Sequence, residues 1–178
     1  MICIPVMEPT HREALRAAAK SAVLADLIEL RMDWIADGDV SELIRAARRA
    51  SASVKIIVTC RRREESELAR EGLEALSVKE RTNAAKMKLL REAVVSGADF
   101  IDIELAEGTR AVSRMRALCH SRPNPARLIV SWHDPYKTPS LASLKKIFEA
   151  CARAGADIVK IVSYARSLSD NAAVLNLI

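Results

Sequence analysis

The 178-residue sequence predicts an α/β fold of the parallel (β/α)₈ barrel type, with about six β/α units present. Three observations predict it. Short runs rich in Val, Ile and Leu alternate with amphipathic helical patterns along the chain. No hairpin signal separates one strand from the next, so the strands must return parallel through crossover helices. Finally, five strands carry polar side chains on one face near their C-terminal ends, opposite an apolar face.

In order, the strands read Ile2–Met7, Asp26–Asp33, Lys55–Arg61, Phe100–Leu105, Arg127–His133 and Ile158–Val162. Several are nearly continuous branched-aliphatic runs, as strands buried on both sides of a parallel sheet tend to be. Ser41 opens a helix of Ala, Arg and Leu. Ser77-Val-Lys-Glu80 has the pattern of a capping box, in which serine and glutamate satisfy each other's backbone N–H groups, and Gly97 is placed to end that helix. Thr138-Pro139 supplies an N-cap followed by proline at the first helical position, and Gly155 closes the helix it opens. Ser169 opens the last helix. No GxGxxG or GxxxxGK[ST] follows any strand, which disfavours a nucleotide-binding open sheet.

Composition narrows the function. The chain holds one sizeable core, read as one barrel domain over residues 1–178 that is incomplete at its C-terminal side. No run of about 18 apolar residues appears, and Met1 to Met7 lacks the basic region of a secretory signal, so no membrane span and a cytoplasmic location are expected. Cys3, Cys60 and Cys151 sit among apolar neighbours and read as small core residues. Cys119-His120 is a poor metal site, because adjacent side chains diverge. A net charge of +5 and the Arg61-Arg62-Arg63 cluster suggest nucleic acid, but aromatics are only 3 % of the chain, too few to stack bases. A solvated surface with a local anion-attracting cluster is the reading adopted.

Side chains two apart on a strand share a face. Glu29, Arg31 and Asp33 therefore lie together, as do Asp102 with Glu104, Thr59 with Arg61, and Ser131 with His133. Lys160 falls opposite Val159 and Ile161. Charges in the middle of Val/Ile runs on separate strands make sense if those faces converge in a barrel lumen, whose C-terminal mouth gathers catalytic groups. A set of core ion pairs, such as Arg31 with Asp102, is the competing explanation.

These residues suit one chemistry. Burial disfavours a lysine's ammonium, and neighbouring Arg31 and Arg61 would repel it further. A neutral Lys160 can attack a ketone to form an iminium, which acidifies the α-carbon. His133 is suited to move the proton at that carbon and at a leaving hydroxyl. Glu65 or Asp102 would orient the imidazole, and the arginines would contact an anionic, hydroxylated substrate.

Here the sequence resembles the type I 3-dehydroquinate dehydratases, Schiff-base lyases of the shikimate pathway of aromatic amino acid biosynthesis. The matching segments are Glu29-x-Arg31-x-Asp33; Thr59-x-Arg61 followed by Glu65; Asp102-x-Glu104; Ser131-x-His133-Asp134 with Thr138-Pro139; and Gly155-Ala156-Asp157-x-x-Lys160. Each motif is weak alone, but five in order across the chain are specific. The resemblance implies dehydration of 3-dehydroquinate to 3-dehydroshikimate with no metal or organic cofactor. Lys160 would form the iminium, His133 would act as general acid and base, and Glu65 would pair with His133. Glu29, Arg31 and Arg61 would hold the substrate, with Asp102 and Asp33 in support. A cytoplasmic homodimer is implied as well.

The sequence departs from the family in places. Ser66-Glu67 stands where two glycines are usual, Pro135 where phenylalanine is usual, and Ser163-Tyr164-Ala165-Arg166 where a Met-Pro segment is usual. The Ser-Arg and Pro-Gly-Gln that grip the substrate in the family's last two units have no counterpart after Lys160, and the N-terminal hairpin under the barrel does not occur. Another Schiff-base barrel such as a class I aldolase, or a catalytically inactive or regulatory relative, are the alternative functions.

Overall fold

Six strands pair in chain order and all run parallel: β1 (Cys3–Val6), β2 (Leu27–Arg31), β3 (Lys55–Thr59), β4 (Phe100–Glu104), β5 (Arg127–Asp134) and β6 (Ile158–Ser163). The structure, a computed structural model, describes residues 1–62 and 82–177. Within these, six α-helices follow the strands: α1 (His11–Leu24), α2 (Val40–Ala50), α3 (Asn83–Val95), α4 (Thr109–His120), α5 (Leu141–Ala154) and α6 (Leu168–Leu175).

The sheet curls. In a flat sheet, β2 and β6 would be four inter-strand steps apart, about 19 Å. Instead the Lys160 amine on β6 reaches Glu29 on β2 at 3.5 Å. The six strands thus form a curled half-barrel of TIM type, with β1 and β6 as its two edges.

The two faces of the sheet divide as the alternation requires. Ile28, Leu30, Ile56, Val58, Ile101, Ile103, Leu128 and Val130 point to the helix layer and are fully buried. They form one cluster with Ala14, Ala18 and Ala22 of α1, and with Leu43, Ile44 and Ala47 of α2. Alanines four residues apart stack on one helical stripe, so α1 can lie close against the strands. α6 has no buried residue, and its Leu168 and Leu175 are exposed.

Helix ends differ from expectation in informative ways. α2 is capped by Asp39 rather than Ser41: the Asp39 carboxylate accepts from the Glu42 N–H at 3.0 Å, while the Ser41 hydroxyl bonds that of Ser96, just past α3. α5 is capped by Ser140 and not by Thr138, whose hydroxyl is 3.0 Å from the Ser163 hydroxyl and donates to the Tyr164 carbonyl. Thr138 thus ties the β5–α5 loop to the end of β6. Ser167, not Ser169, opens α6, in a capping box with Asp170. In each case several Ser, Thr or Asp residues compete, and tertiary partners decide which one caps. Gly97 and Gly155 end α3 and α5 as expected, at φ values of 91° and 105°. The expected capping box at Ser77–Glu80 lies outside the described residues, and α3 is described from Asn83 with Thr82 as its cap.

The cysteines needed one correction. Cys60, Cys119 and Cys151 are buried, but Cys3 is exposed. It lies on an edge strand, in register with Leu27, on the lumen face rather than the helix face. Cys119 and His120 diverge: burial and Asp157 push the Cys119 thiol up to about 12, whereas His120 faces outward and meets Asp157 at 2.9 Å.

Candidate active site

The lumen face carries the predicted polar residues and brings most of them together. Its centre is Asp102 on β4, almost wholly buried. Two guanidinium nitrogens of Arg61, just beyond β3, donate to its two oxygens at 3.0 and 2.6 Å. The Ser131 hydroxyl on β5 donates to the same carboxylate at 2.6 Å and accepts from Arg61 at 2.6 Å. The Lys160 amine completes the set at 3.2 Å. Four hydrogen bonds thus use the four lone-pair directions that a carboxylate offers.

Glu29 is the second acid against Lys160. Its Oε1 accepts from the Thr59 hydroxyl at 2.6 Å and from the Lys160 amine at 3.5 Å. Lys160 is about one-third exposed, so its amine is reachable from the lumen. The amine's nearest charged partners are carboxylates, and not the arginines expected to repel it. Arg61 is matched by Asp102, and Arg31 by Asp33, through contacts at 3.1 and 2.8 Å. The Arg31–Asp102 ion pair of the competing explanation is therefore not the one that forms. The chain turns after β2 and brings Asp33 back onto Arg31, a partner two residues away. His133 lies on the lumen side of β5, in register with Val162 of β6. Glu65 lies outside the described residues, as does Arg63.

The electrostatics of Asp102 set a pH dependence. Burial pushes its carboxyl up, but the Arg61 charge, then Lys160 and the Ser131 hydrogen bond, outweigh burial and hold it below the usual carboxylate range. A depressed folded value stabilises the protein above the unfolded value of about 3.9, and that contribution is lost as pH falls through the folded value. Asp102→Asn is thus expected to lose about 3–5 kcal/mol of stability at neutral pH, since it leaves the buried Arg61 guanidinium without its counter-charge. Chemical denaturation at several pH values checks this. The gap between variant and parent should narrow progressively as pH falls below about 4, where the unfolded parent takes up the proton that the folded carboxylate still resists; an equal gap at pH 3 and pH 7 would show that charge is not its source.

One buried group escaped the sequence reading. Lys86, on the first turn of α3, is only 3 % exposed. It bonds Glu104 at the end of β4 and meets Glu107 at 2.8 Å. Burial lowers its basicity, but the two carboxylates outweigh this and raise it. The signal was present in the spacing: Leu89, Leu90 and Ala93 follow Lys86 by three, four and seven residues, which puts the lysine on the core stripe.

A curled parallel half-barrel with a lysine, a histidine and paired acids on its lumen face is the arrangement of a TIM-type barrel enzyme. The comparisons agree. The family model for type I 3-dehydroquinase matches residues 2–178, and the chain belongs to that family. The 3-dehydroquinate dehydratase of Desulfotalea psychrophila is 32 % identical over 169 residues, covering 95 % of this chain and 67 % of the relative. That of Methanococcus maripaludis is 29 % identical, covering 99 % of this chain and 73 % of the relative. Among solved structures, 3-dehydroquinate dehydratase from Geobacillus kaustophilus superposes with a TM-score of 0.81 at 26 % identity, covering 98 % of this chain and 66 % of that one. The chain therefore spans about two-thirds of the length of these relatives. Among the described residues, no helix is long and apolar enough to cross a membrane.

Proposed function

We propose that this chain dehydrates 3-dehydroquinate to 3-dehydroshikimate through an iminium on Lys160. The observation that carries the reading is the Lys160 amine, one-third exposed on the lumen face and fixed between Glu29 and Asp102 on two other strands. The free amine adds to the substrate ketone, and loss of water leaves the iminium. His133 removes the α-proton, and the electron pair moves into the iminium to give an enamine. The enamine then expels the β-hydroxyl, which leaves as water with the proton His133 supplies. Hydrolysis of the remaining iminium releases product and restores Lys160.

The supporting residues take roles consistent with their places. Glu29, Arg31 and Arg61 hold the substrate, while Asp102 and Asp33 hold the arginines. Asp102 already accepts four hydrogen bonds, from Arg61, Ser131 and Lys160. That supports Glu65 as the carboxylate that orients His133. The chemistry asks for no metal or organic cofactor. We further propose a single barrel domain over residues 1–178, six units of an eight-unit barrel, whose closing units would lie between β6 and β1. The edge positions of those strands and the greater length of the relatives support this. A homodimer acting in the cytoplasm on the shikimate route completes the reading.

Borohydride reduction in the presence of 3-dehydroquinate tests it. A stable mass increment on the peptide containing Lys160 is expected. A folded sample whose mass is unchanged would overturn the imine, and an increment without turnover would point to a relative that binds but does not dehydrate.

A further inference from the structure

The three strands that bring Glu29, Asp102 and Lys160 to the lumen begin alike. Ala25-Asp26-Leu27-Ile28-Glu29 leads into β2, Ala98-Asp99-Phe100-Ile101-Asp102 into β4, and Ala156-Asp157-Ile158-Val159-Lys160 into β6. In each, an aspartate just before the strand is followed three residues later by the group that meets the others in the lumen. Each aspartate binds the preceding strand in both directions. The Ile2, Ile56 and Leu128 backbone N–H groups donate to the carboxylates of Asp26, Asp99 and Asp157 at 2.7, 2.9 and 2.7 Å. The aspartates' own N–H groups donate back to the carbonyls of the same three residues, at 3.1, 3.0 and 2.9 Å.

The register above each clamp is also the same. Leu27 pairs with Cys3, Phe100 with Ile57 and Ile158 with Ile129, so Glu29, Asp102 and Lys160 rise to one level. Alternate strands fill one layer of a barrel lumen. In this layer Lys160 lies 3.5 Å from Glu29 and 3.2 Å from Asp102. β6 relies most on its clamp. β2 and β4 are paired on both sides, whereas β6 pairs with β5 alone among the described strands. An element held on one side opens most easily from its ends. Lys160 is three residues from that end, and both its carboxylate partners are on strands that do not adjoin β6. The clamping oxygen of Asp157 has one further partner, the His120 Nε2 at the end of α4, 2.9 Å away.

We propose that Asp157 is a positioning residue for Lys160: its carboxylate clamps the base of β6 to the Leu128 N–H, and so sets the height at which the amine meets Glu29 and Asp102. The clamp stands on hydrogen-bond geometry, while its consequence for catalysis rests on Lys160 being the imine-forming amine. Misplacing a reacting group by about 1 Å can cost about 10²-fold in rate.

Competitive acetylation of the intact protein, read per lysine by peptide mass spectrometry, tests the clamp without substrate. Exposed Lys55 normalises the reagent, and buried Lys86 reports global opening. Asp157→Ala is expected to label Lys160 about fivefold faster at fixed pH with Lys86 unchanged, because the amine moves away from the two carboxylates that favour its ammonium. Asp157→Asn keeps an oxygen that accepts from the Leu128 N–H, and should label within about twofold of the parent. His120→Ala removes only the further partner and should also label like the parent. In the same samples, borohydride trapping with 3-dehydroquinate should slow about 10²-fold in Asp157→Ala and recover in Asp157→Asn. Should the alanine variant fail to fold, Asp157→Val removes the acceptor while favouring the strand, and carries the same expectation. Unchanged Lys160 labelling in a folded Asp157→Ala or Asp157→Val variant, or labelling that rises together with Lys86, would overturn the assignment. So would an Asp157→Asn or His120→Ala variant that labels like Asp157→Ala, or trapping in Asp157→Ala at the parent rate. A parent that gives no borohydride adduct, beside variants that label as expected, would overturn the imine alone.

Discussion

Lys160→Ala is expected to abolish both the borohydride adduct and turnover of 3-dehydroquinate. Without the amine no iminium forms, and no other described lysine bonds Asp102 or Glu29 in the lumen. The variant should stay folded. Asp102 keeps two hydrogen bonds from Arg61 and one from Ser131, and Glu29 keeps that from Thr59. A circular dichroism melt beside the assay separates lost chemistry from lost structure. Persistent turnover, or an adduct on another lysine, would remove Lys160 from the mechanism.

His133→Ala is expected to slow turnover by about 10²–10⁴-fold, the usual contribution of a positioned general acid and base. The iminium should still accumulate, because the Lys160 amine and its two acids do not depend on the imidazole. The two variants therefore separate two steps: Lys160→Ala yields no adduct, whereas His133→Ala yields adduct with little product. Single-turnover measurement with mass detection of the covalent species reads both. A His133→Ala variant with near-parent kcat would assign the proton transfers elsewhere.

Much of the fold was legible in the sequence because a parallel strand announces itself by composition. Ile56-Ile57-Val58 and Ile101-Asp102-Ile103-Glu104 fall in β3 and β4 within a residue or two of the predicted bounds. Period-two alternation also sorted side chains onto the correct faces: Ile101 and Ile103 entered the helix-side core, and Asp102 and Glu104 the lumen. Helix starts were less legible. Ser, Thr and Asp occur several times near each boundary, and the backbone N–H groups choose among them only after neighbouring elements have claimed some, as Ser96 claims Ser41 and Ser163 claims Thr138.

The candidate site divides along the same line. Which residues face the lumen follows from strand periodicity, a local property of the chain, so the sequence by itself determined that Glu29, Arg31, Arg61, Asp102, His133 and Lys160 would be neighbours if the sheet curled. Which of them pair is a matter of distances between strands far apart in sequence. Only the tertiary structure decided that Arg61 rather than Arg31 serves Asp102, that Asp33 retains Arg31, and that Lys160 lies between two carboxylates instead of beside two arginines. It alone placed Lys86, a helical residue, against the end of β4. Local pattern sets the face a side chain takes; strand register and curl set the charge it meets, because ion pairs form between groups within about 4 Å whatever their separation along the chain.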